Sequence, residues 1–382
     1  YRNGFYSSLR GRTAGSYIST ASMQGDEFIG LVINGNRLGS VNNGDITSST
    51  GDVTGFFGGM YGTIANANYF FPYAEAMLNE GLDSEEDMAQ LKRYVAEAKF
   101  LRAYSYWFLL DHYCGNYTPE NGDTPALGLP LVEVYNPTPL TSMYPGRSTL
   151  NETYAFIERD LEDAYDGLKE FEENYSDIAN EEMLVSNASY LSSYAVRALQ
   201  ARLALLKGDW QAAYDYANDI VSSRKYRLTQ RRAYANIWIS DTGTEIIFRP
   251  FANSEERTSV PETGLAWIST YEDKADYIAT ANALAIYDEG DTRLTDFFAP
   301  REVNCFSVEV IVPSFIKFPG NKTFNATANS VATRNMPKPF RTSEQVLIMA
   351  EAADKLGMTA EANQALNDLR KNRIDKWKNT EY

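Results

Sequence analysis

Histidine and cysteine are scarce in this chain. Among 382 residues there is one histidine, His112, and there are two cysteines, Cys114 and Cys305. A single histidine excludes histidine-rich metal sites and confines any histidine-dependent reaction centre to one place. The cysteines lie far apart in the chain and form no CxxC pair, so we expect both to be reduced thiols without a bound metal.

Basic charge and long apolar runs are also lacking. Lysine and arginine total 35 against 51 acidic residues, which gives a formal net charge of −16. A nucleic-acid-binding surface needs clustered basic residues to neutralise phosphates, and this sequence has no such cluster. No apolar run approaches the roughly 20 residues of a membrane-spanning helix. Nucleic acid is therefore not an expected partner.

Aromatic residues, in contrast, are abundant. The chain has 26 Tyr, 19 Phe and 5 Trp, whereas its hydrophobic and charged fractions, 44% and 23%, are typical of a globular protein. A tyrosine ring has an apolar face and a hydroxyl at its rim, which suits sugar and peptide recognition. It also suits packing between helices, and packing accounts for most of these tyrosines.

Apolar residues at spacings of three and four predict helices over 84–113, 150–168, 187–222 and 342–372. Gly208-Asp209 and Gly357 each interrupt such a pattern where small residues follow, which is typical of a tetratricopeptide-type helical pair. The pairs are unequally spaced along the chain. We therefore expect antiparallel helical pairs that form a scaffold carrying large insertions.

The regions outside these helices predict irregular structure. We expect a loop-rich segment over 1–59, a helical scaffold over 60–222, an irregular insertion over 223–340 and a C-terminal helical pair over 341–382. Within the insertion, 237–239, 245–249 and 315–318 are strand candidates. The predicted fold is a single, mainly α domain over 1–382, with tetratricopeptide-like pairs, long irregular loops and small β elements.

Several segments together resemble the SusD/RagB family. The match is distributed, in the family's order, over MYGTIANAN (60–68), AEAKFLRAYSYWFLLDHYCG (96–115) with GLPLV (128–132), YAFIERDLEDAYDGL (154–168), YDEGDTRLTDFF (287–298) and the helical pair at 341–373. Two family features are missing, namely the lipidated cysteine at the N-terminus and the segment that follows the last helical pair. We therefore expect this sequence to be a fragment of a longer protein.

The resemblance implies a function without catalysis. Members of the family are surface lipoproteins of the outer membrane of Bacteroidetes-type bacteria, and they cover a SusC-like TonB-dependent transporter. They bind an oligosaccharide or, in some members, a peptide, and they need no cofactor or metal. Membrane attachment would come only from the N-terminal lipid anchor, which this sequence does not contain.

The candidate ligand-binding residues lie in two irregular segments, 34–57 and 260–271. Aromatic faces cover the C–H surfaces of sugar rings, while amide, carboxylate and guanidinium groups pair with sugar hydroxyls. Trp267 is the strongest candidate because it follows Pro and Gly outside any periodic pattern, although it could instead anchor its loop. The phenylalanines could equally pack a helix. The full set is Arg37, Asn43, Asp45, Phe56, Phe57, Trp267 and Tyr271.

Other functions remain open at this stage. A peptide-binding member of the same family and a tetratricopeptide-like adaptor for a protein partner are both compatible with the pattern. A glycoside hydrolase needs two carboxylates about 5–10 Å apart in a cleft. Asp288 and Asp291 with Arg293 fit a local turn better than a catalytic pair. His112 fits a packing or capping role at the end of a helix.

Overall fold

The structure is a computed structural model that describes residues 1–14, 16–25, 27–32, 35–183, 188–253, 276–305, 308–321, 323 and 335–375. Helices dominate the described residues, as the sequence predicts. They are α1 (Arg2–Thr13), α2 (Ser16–Gln24), α3 (Gly39–Asn42), α4 (Gly51–Glu80), α5 (Glu85–Tyr113), α6 (Leu150–Asn174), α7 (Ser176–Met183), α8 (Ser193–Lys207), α9 (Trp210–Ser222), α10 (Arg231–Tyr234), α11 (Asn236–Ile239), α12 (Ala281–Ala285), α13 (Thr292–Phe297), α14 (Thr342–Lys355) and α15 (Thr359–Lys371). The strands are β1 (Phe28–Gly30), β2 (Ile246–Phe248), β3 (Tyr277–Ala279), β4 (Phe298–Cys305), β5 (Val308–Phe315) and β6 (Phe340–Arg341).

The chain divides into two compact units. The first, which we call the helical unit, comprises Tyr1–Leu9, Phe57–Tyr226 and Phe340–Ala365. The second, which we call the loop unit, comprises Arg10–Phe56, Arg227–Pro339 and Leu366–Tyr382. The predicted segments 60–222 and 223–340 fall mostly in the helical unit and the loop unit, respectively, while the single domain over 1–382 stays a prediction.

Helices α5 and α6 pack antiparallel in the helical unit. Lys92, early in α5, lies 3.9 Å from Glu170 late in α6, and Arg102, later in α5, lies 2.6 Å from Asp160 early in α6. Contacts later in α5 are therefore made with residues earlier in α6. This order of contacts confirms the predicted antiparallel pairing of the two helices.

The buried contact between Arg102 and Asp160 joins three helices. The Arg102 Nε and Nη2 atoms donate to the Asp160 carboxylate at 2.6 and 2.8 Å, and Nη1 donates to the Asn68 side chain of α4 at 2.7 Å. The rings of Phe71 and Phe156 lie beside the guanidinium. A buried guanidinium needs such partners because its desolvation is costly. The arginine of the FLRA segment therefore connects α4, α5 and α6.

The hairpin of α8 and α9 has the geometry predicted from Gly208-Asp209. Gly208 ends α8 with φ +77°, a left-handed conformation that glycine adopts without steric cost. The Asp209 side chain then accepts a hydrogen bond from the amide of Ala212 at 3.1 Å and caps α9. The crossing is filled by small residues and by side chains of α14, namely Ala201, Ala204, Ala213, Ala217, Ile348 and Ala352.

Side-chain caps fix the beginnings of α5 and α6. The Ser84 hydroxyl accepts a hydrogen bond from the Asp87 amide at 3.0 Å. The Thr149 hydroxyl accepts one from the Glu152 amide at 3.1 Å, while the Glu152 carboxylate accepts one from the Thr149 amide at 2.8 Å. The reciprocal pair is a capping box. Both caps satisfy backbone amides that have no partner within the first turn of the helix.

Three expectations about secondary structure are wrong. The strand predicted at 315–318 is absent, because β5 ends at Phe315 and residues 316–318 continue as irregular chain. The segment 1–59 is not mainly loop, because α1 and α2 lie within it and α4 begins at Gly51 instead of near Met60. Residues 237–239 lie in the short helix α11 and not in a strand, and Ile237 and Trp238 are its buried residues. The strand expected at 245–249 is confirmed as β2.

Small antiparallel sheets organise the loop unit. Strand β1 pairs with β3, with Phe28 opposite Ala279, and β4 pairs with β5 along eight residues each. Val303 and Val312 are buried on the inner face of the β4–β5 ribbon. These sheets confirm the small β elements predicted for the insertion.

Cys114 is a free, half-buried thiol. The side chain of Cys305 lies outside the described residues, so its predicted reduced state remains a prediction. Among the helices that the structure describes, none combines the length and apolar composition needed to cross a membrane.

Candidate ligand-binding site

Three of the predicted ligand residues flank the short helix α3 in the loop unit. Asn43 and Asp45 are exposed after its C-terminus, and Arg37 is half-buried before its N-terminus. The side-chain amide of Asn42 donates to the carbonyls of Met23 and Phe28 at 3.0 and 3.2 Å. These bonds fix the turn, so the polar side chains project from a held backbone.

The backbone before α3 is strained. Asn36 and Leu38 both have a left-handed conformation, with φ of 49° and 54°, and Gly35 has φ of 89°. A non-glycine residue in this region costs about 1–3 kcal/mol and persists only where the surrounding structure imposes it. The conformation that presents Arg37 is therefore imposed by the contacts around it.

Arg37 also has a charged partner in the loop unit. Its Nη1 atom lies 3.7 Å from a carboxylate oxygen of Asp276, whose side chain is mostly buried. Asp276 immediately precedes β3 and follows the segment 254–275. Trp267 and Tyr271 belong to that segment and lie outside the described residues, so their role stays a prediction.

A cavity of about 210 Å³ in the loop unit is lined largely by aromatic rings. Phe28, whose carbonyl accepts the hydrogen bond from Asn42, is one of its walls. The other described lining residues are Ile18, Ser22, Glu27, Ala283, Ile286, Tyr287, Phe297, Phe298, Phe315, Lys317 and Phe318. The volume is below the about 300–1,000 Å³ of pockets for drug-sized ligands, so it suits one small ring at a time.

Lys317 contributes a positively charged side chain to the lining of this cavity. Its Nζ atom lies 4.1 Å from the centre of the Trp238 ring and 4.6 Å from that of Phe297. Such contacts hold a positive charge over the negative faces of the rings. Tyr287 also lines the cavity, and burial raises its pKa while the nearby Arg293 partly opposes that increase. The Tyr287 hydroxyl is therefore a neutral hydrogen-bonding group at physiological pH.

A buried polar network lies beside Trp238, whose ring contacts the Lys317 side chain of the cavity. The Asp241 carboxylate accepts hydrogen bonds from Lys338 Nζ at 2.6 Å, Asn321 Nδ2 at 2.8 Å and Asn335 Nδ2 at 3.2 Å. Arg249 donates to the Asp241 carbonyl, and burial lowers the pKa of this guanidinium. Asn335 Nδ2 also donates to the Trp238 carbonyl at 2.7 Å, so the network holds the backbone from Trp238 to Asp241.

Phe56 and Phe57 belong to the second turn of α4 instead of a loop. Both are half-buried. The Phe57 ring lies 4.9 Å from the Tyr61 ring and 5.2 Å from the Tyr113 ring in the helical unit. These contacts of Phe57 are those of helix packing, the alternative that the sequence leaves open for both phenylalanines.

The groups considered for catalysis have structural partners. Asp291 accepts three side-chain hydrogen bonds from Arg293, at 3.0, 3.2 and 2.6 Å, and caps α13. Asp288 accepts one from Arg370 at 2.9 Å. His112 stacks on Phe108, and its Nδ1 atom lies 2.9 Å from the Phe108 carbonyl. Within the described ranges, no group of three or more His, Cys, Asp or Glu side chains could hold a metal ion.

Comparison with known families identifies the fold. Residues 16–205 match the model of a SusD-like family, described as starch-binding and associating with the outer membrane. The chain belongs to the SusD-like family. No curated protein sequence matches the chain.

Solved structures of SusD-like proteins share the fold over nearly the whole chain. A SusD superfamily protein from Bacteroides thetaiotaomicron aligns with a TM-score of 0.78 and 23% identity, covering 98% of this chain and 79% of its own. A SusD-like carbohydrate binding protein from Bacteroides vulgatus gives 0.72 and 18%, covering 95% and 70%. A surface glycan-binding protein A from Bacteroides fluxus gives 0.67 and 20%, covering 98% and 81%.

The aromatic cavity was missed by the sequence analysis. Its walls come from α2, β1 and the β4–β5 ribbon, which are far apart in the sequence. The sequence feature that could have indicated the cavity is a local excess of phenylalanine at Phe297-Phe298 and in the segment Ser314–Phe318. Such an excess is equally typical of a buried strand, so it did not distinguish a cavity from a core.

Proposed function

We propose that this SusD-like protein is a non-enzymatic glycan-binding protein that captures an oligosaccharide at the cell surface. The observation that carries the proposal is the exposed polar turn around α3, held by Asn42 against the wall of an aromatic cavity. The family description and the glycan-binding relatives support the same class of ligand.

The arrangement has the chemistry that a sugar requires. The Asn43 amide can both donate to and accept from sugar hydroxyls, the Asp45 carboxylate accepts, and the Arg37 guanidinium donates. The rings of the cavity offer apolar faces to the C–H side of a pyranose. None of these groups needs to move a proton or form a covalent bond, so the proposed role is binding alone.

We further propose that the bound glycan passes to a SusC-like TonB-dependent transporter in the outer membrane, to which the mature protein attaches as a lipoprotein. The family's association with the outer membrane supports this location. Co-purification of the full-length lipoprotein with a transporter of this class from outer-membrane extracts would test it. Recovery without any such transporter would contradict it.

The test of binding uses affinity electrophoresis in gels that contain soluble starch or another neutral polysaccharide. Asn43→Ala and Asp45→Ala should each weaken retention several-fold, because each removes hydrogen bonds worth about 0.5–1.5 kcal/mol. Both side chains are exposed, so the melting temperature should be unchanged. Asn116→Ala, an exposed asparagine of the helical unit, is the matched control.

Trp267→Ala tests the segment outside the described residues. Loss of retention with unchanged stability would place Trp267 in the site. A large fall in melting temperature with binding retained would show instead that Trp267 anchors its loop, because truncating a buried tryptophan costs about 3–5 kcal/mol. If the wild type and all variants bind a peptide mixture and none is retained by a polysaccharide, the protein belongs with the peptide-binding members of the family.

A further inference from the structure

Three tyrosines of the helical unit form an exposed group that the proposed function does not use. Tyr69 and Tyr73 follow each other by one turn on α4, and Tyr135 lies in the segment between α5 and α6. Their exposed fractions are 39%, 52% and 44%. The Tyr69 ring centre lies 5.2 Å from that of Tyr73 and 5.0 Å from that of Tyr135. We call these three residues the tyrosine cluster.

The segments that carry the tyrosine cluster contain no charge. No Asp, Glu, Lys or Arg occurs in 53–74 or in 134–146, although charged residues are 23% of the chain. The next acidic residue before Tyr135, Glu133, pairs with Arg159 at 3.3 Å. Other exposed apolar side chains in or beside these segments are Met77, Val134, Leu140, Met143 and Tyr144. An exposed apolar area of this kind on a protein surface marks a binding surface.

The positions of the rings are fixed by buried contacts. Asn68 Nδ2 donates to the carbonyl of Val132 at 2.8 Å, and the Val132 amide donates to the Tyr106 hydroxyl at 2.8 Å. These bonds tie the segment that leads to Tyr135 to α4 and α5. The Tyr73 hydroxyl donates to the Tyr69 hydroxyl at 3.4 Å. A surface held in advance loses little conformational entropy when a ligand binds.

We propose that the tyrosine cluster is a second glycan-contact surface, which binds a neutral polysaccharide by ring stacking. The inference rests on the proposed function, and it involves none of the residues around α3. Tyrosine rings offer flat apolar faces, and their hydroxyls, with the nearby Asn136 and Thr138, offer neutral hydrogen-bonding groups. An acidic polysaccharide or a peptide terminus would find no opposite charge in these two segments. A neutral sugar chain needs none.

Affinity electrophoresis in gels with soluble starch and a series of other neutral polysaccharides tests the surface. Tyr69→Ala/Tyr73→Ala should weaken retention about three- to tenfold for each ring removed, the range that one aromatic contact contributes. Tyr69→Phe/Tyr73→Phe keeps the rings and should keep most of the binding. Leu347→Ala removes an equally exposed apolar side chain from α14 (47% exposed) and should change nothing.

The outcomes separate this inference from the proposed function. Retention of the wild type with unchanged retention of the double alanine variant would overturn the second surface and leave the proposed function standing. Failure of the wild type to bind any neutral polysaccharide would overturn both. A double alanine variant that changes the oligomeric state in light scattering while still binding would show that the cluster is a protein contact, and would overturn the inference.

Discussion

Replacing Arg102 by methionine should strongly destabilise the helical unit. The substitution keeps most of the side-chain volume but removes the guanidinium that pairs with Asp160, whose side chain is fully buried. It also removes the hydrogen bond to Asn68. Breaking one side of a buried ion pair costs about 3–5 kcal/mol, because the remaining charge loses its buried partner. Among the described basic side chains, only the half-exposed Arg159, 3.6 Å away, stays near the Asp160 carboxylate.

The expected loss is large enough to measure by thermal unfolding. In a domain of 150–250 residues, 1 kcal/mol lowers the melting temperature by about 2–4 °C, so Arg102→Met should lower it by roughly 6–20 °C. Circular dichroism at the helical minimum is the assay. Lys92→Met removes an exposed ion pair from the same helix interface, with Glu170, and should cost at most about 0.5 kcal/mol.

A double variant separates the charge from the packing. Arg102→Met/Asp160→Leu removes both charges, so it should recover a large part of the stability lost in the single variant. A loss for Arg102→Met that equals the loss for Lys92→Met would refute the reasoning. The reasoning would also be refuted if the loss of the double variant equalled the sum of the losses for Arg102→Met and Asp160→Leu measured singly. That result would mean no energetic coupling between the two side chains.

Three further results are expected. Gly167→Ala should destabilise the protein by about 1–3 kcal/mol in denaturant unfolding, because an added Cβ would lie 2.9 Å from the Ala96 side chain. Alanine usually stabilises a helix relative to glycine, so a more stable variant would contradict the close approach of α5 and α6. Burial raises the pKa of Tyr104 and of Tyr106 to about 12, so the unfolded state loses these protons first as pH rises above about 10. The free energy of unfolding should therefore be constant below that pH and fall above it. A free energy of unfolding that stays constant to about pH 11 would contradict this. Burial also raises the pKa of the Cys114 thiol, although the nearby Arg147 partly opposes that increase. Iodoacetamide should therefore react with Cys114 more slowly than with glutathione near neutral pH. An equal rate would show an accessible thiolate and contradict this.

The helical scaffold could be predicted from sequence because its signals are local. Apolar spacing of three and four, the caps at Ser84 and Thr149, and the glycine at 208 all act within one or two turns of the chain. The contact between Arg102 and Asp160 could not be predicted in this way, because it joins residues 58 positions apart. Only the packing of α5 on α6 brings them together.

The errors at the N-terminus have an energetic cause. The beginning of α4 contains Gly55, Gly58, Gly59 and Gly62, and each glycine in a helix costs about 1 kcal/mol relative to alanine. Local propensity therefore favours a loop there. Burial of side chains such as Met60 outweighs that preference, and this tertiary contribution is invisible in the sequence.

The candidate site was predictable only in part. Arg37, Asn43 and Asp45 were identified correctly as polar residues of an irregular, accessible turn, although their binding role is still a prediction. The aromatic cavity requires rings from α2, β1 and the β4–β5 ribbon to converge. Nothing in the spacing of those phenylalanines indicates convergence, because strand residues and cavity-lining residues share the same composition.

Isothermal titration of the wild-type protein tests the central claim most directly. The titrants are neutral oligosaccharides released from starch and from other polysaccharides, with a peptide mixture of similar size as the comparison. We predict saturable binding of at least one neutral oligosaccharide and none of the peptides. Binding of the peptides alone, or the absence of binding to every oligosaccharide, would contradict the account.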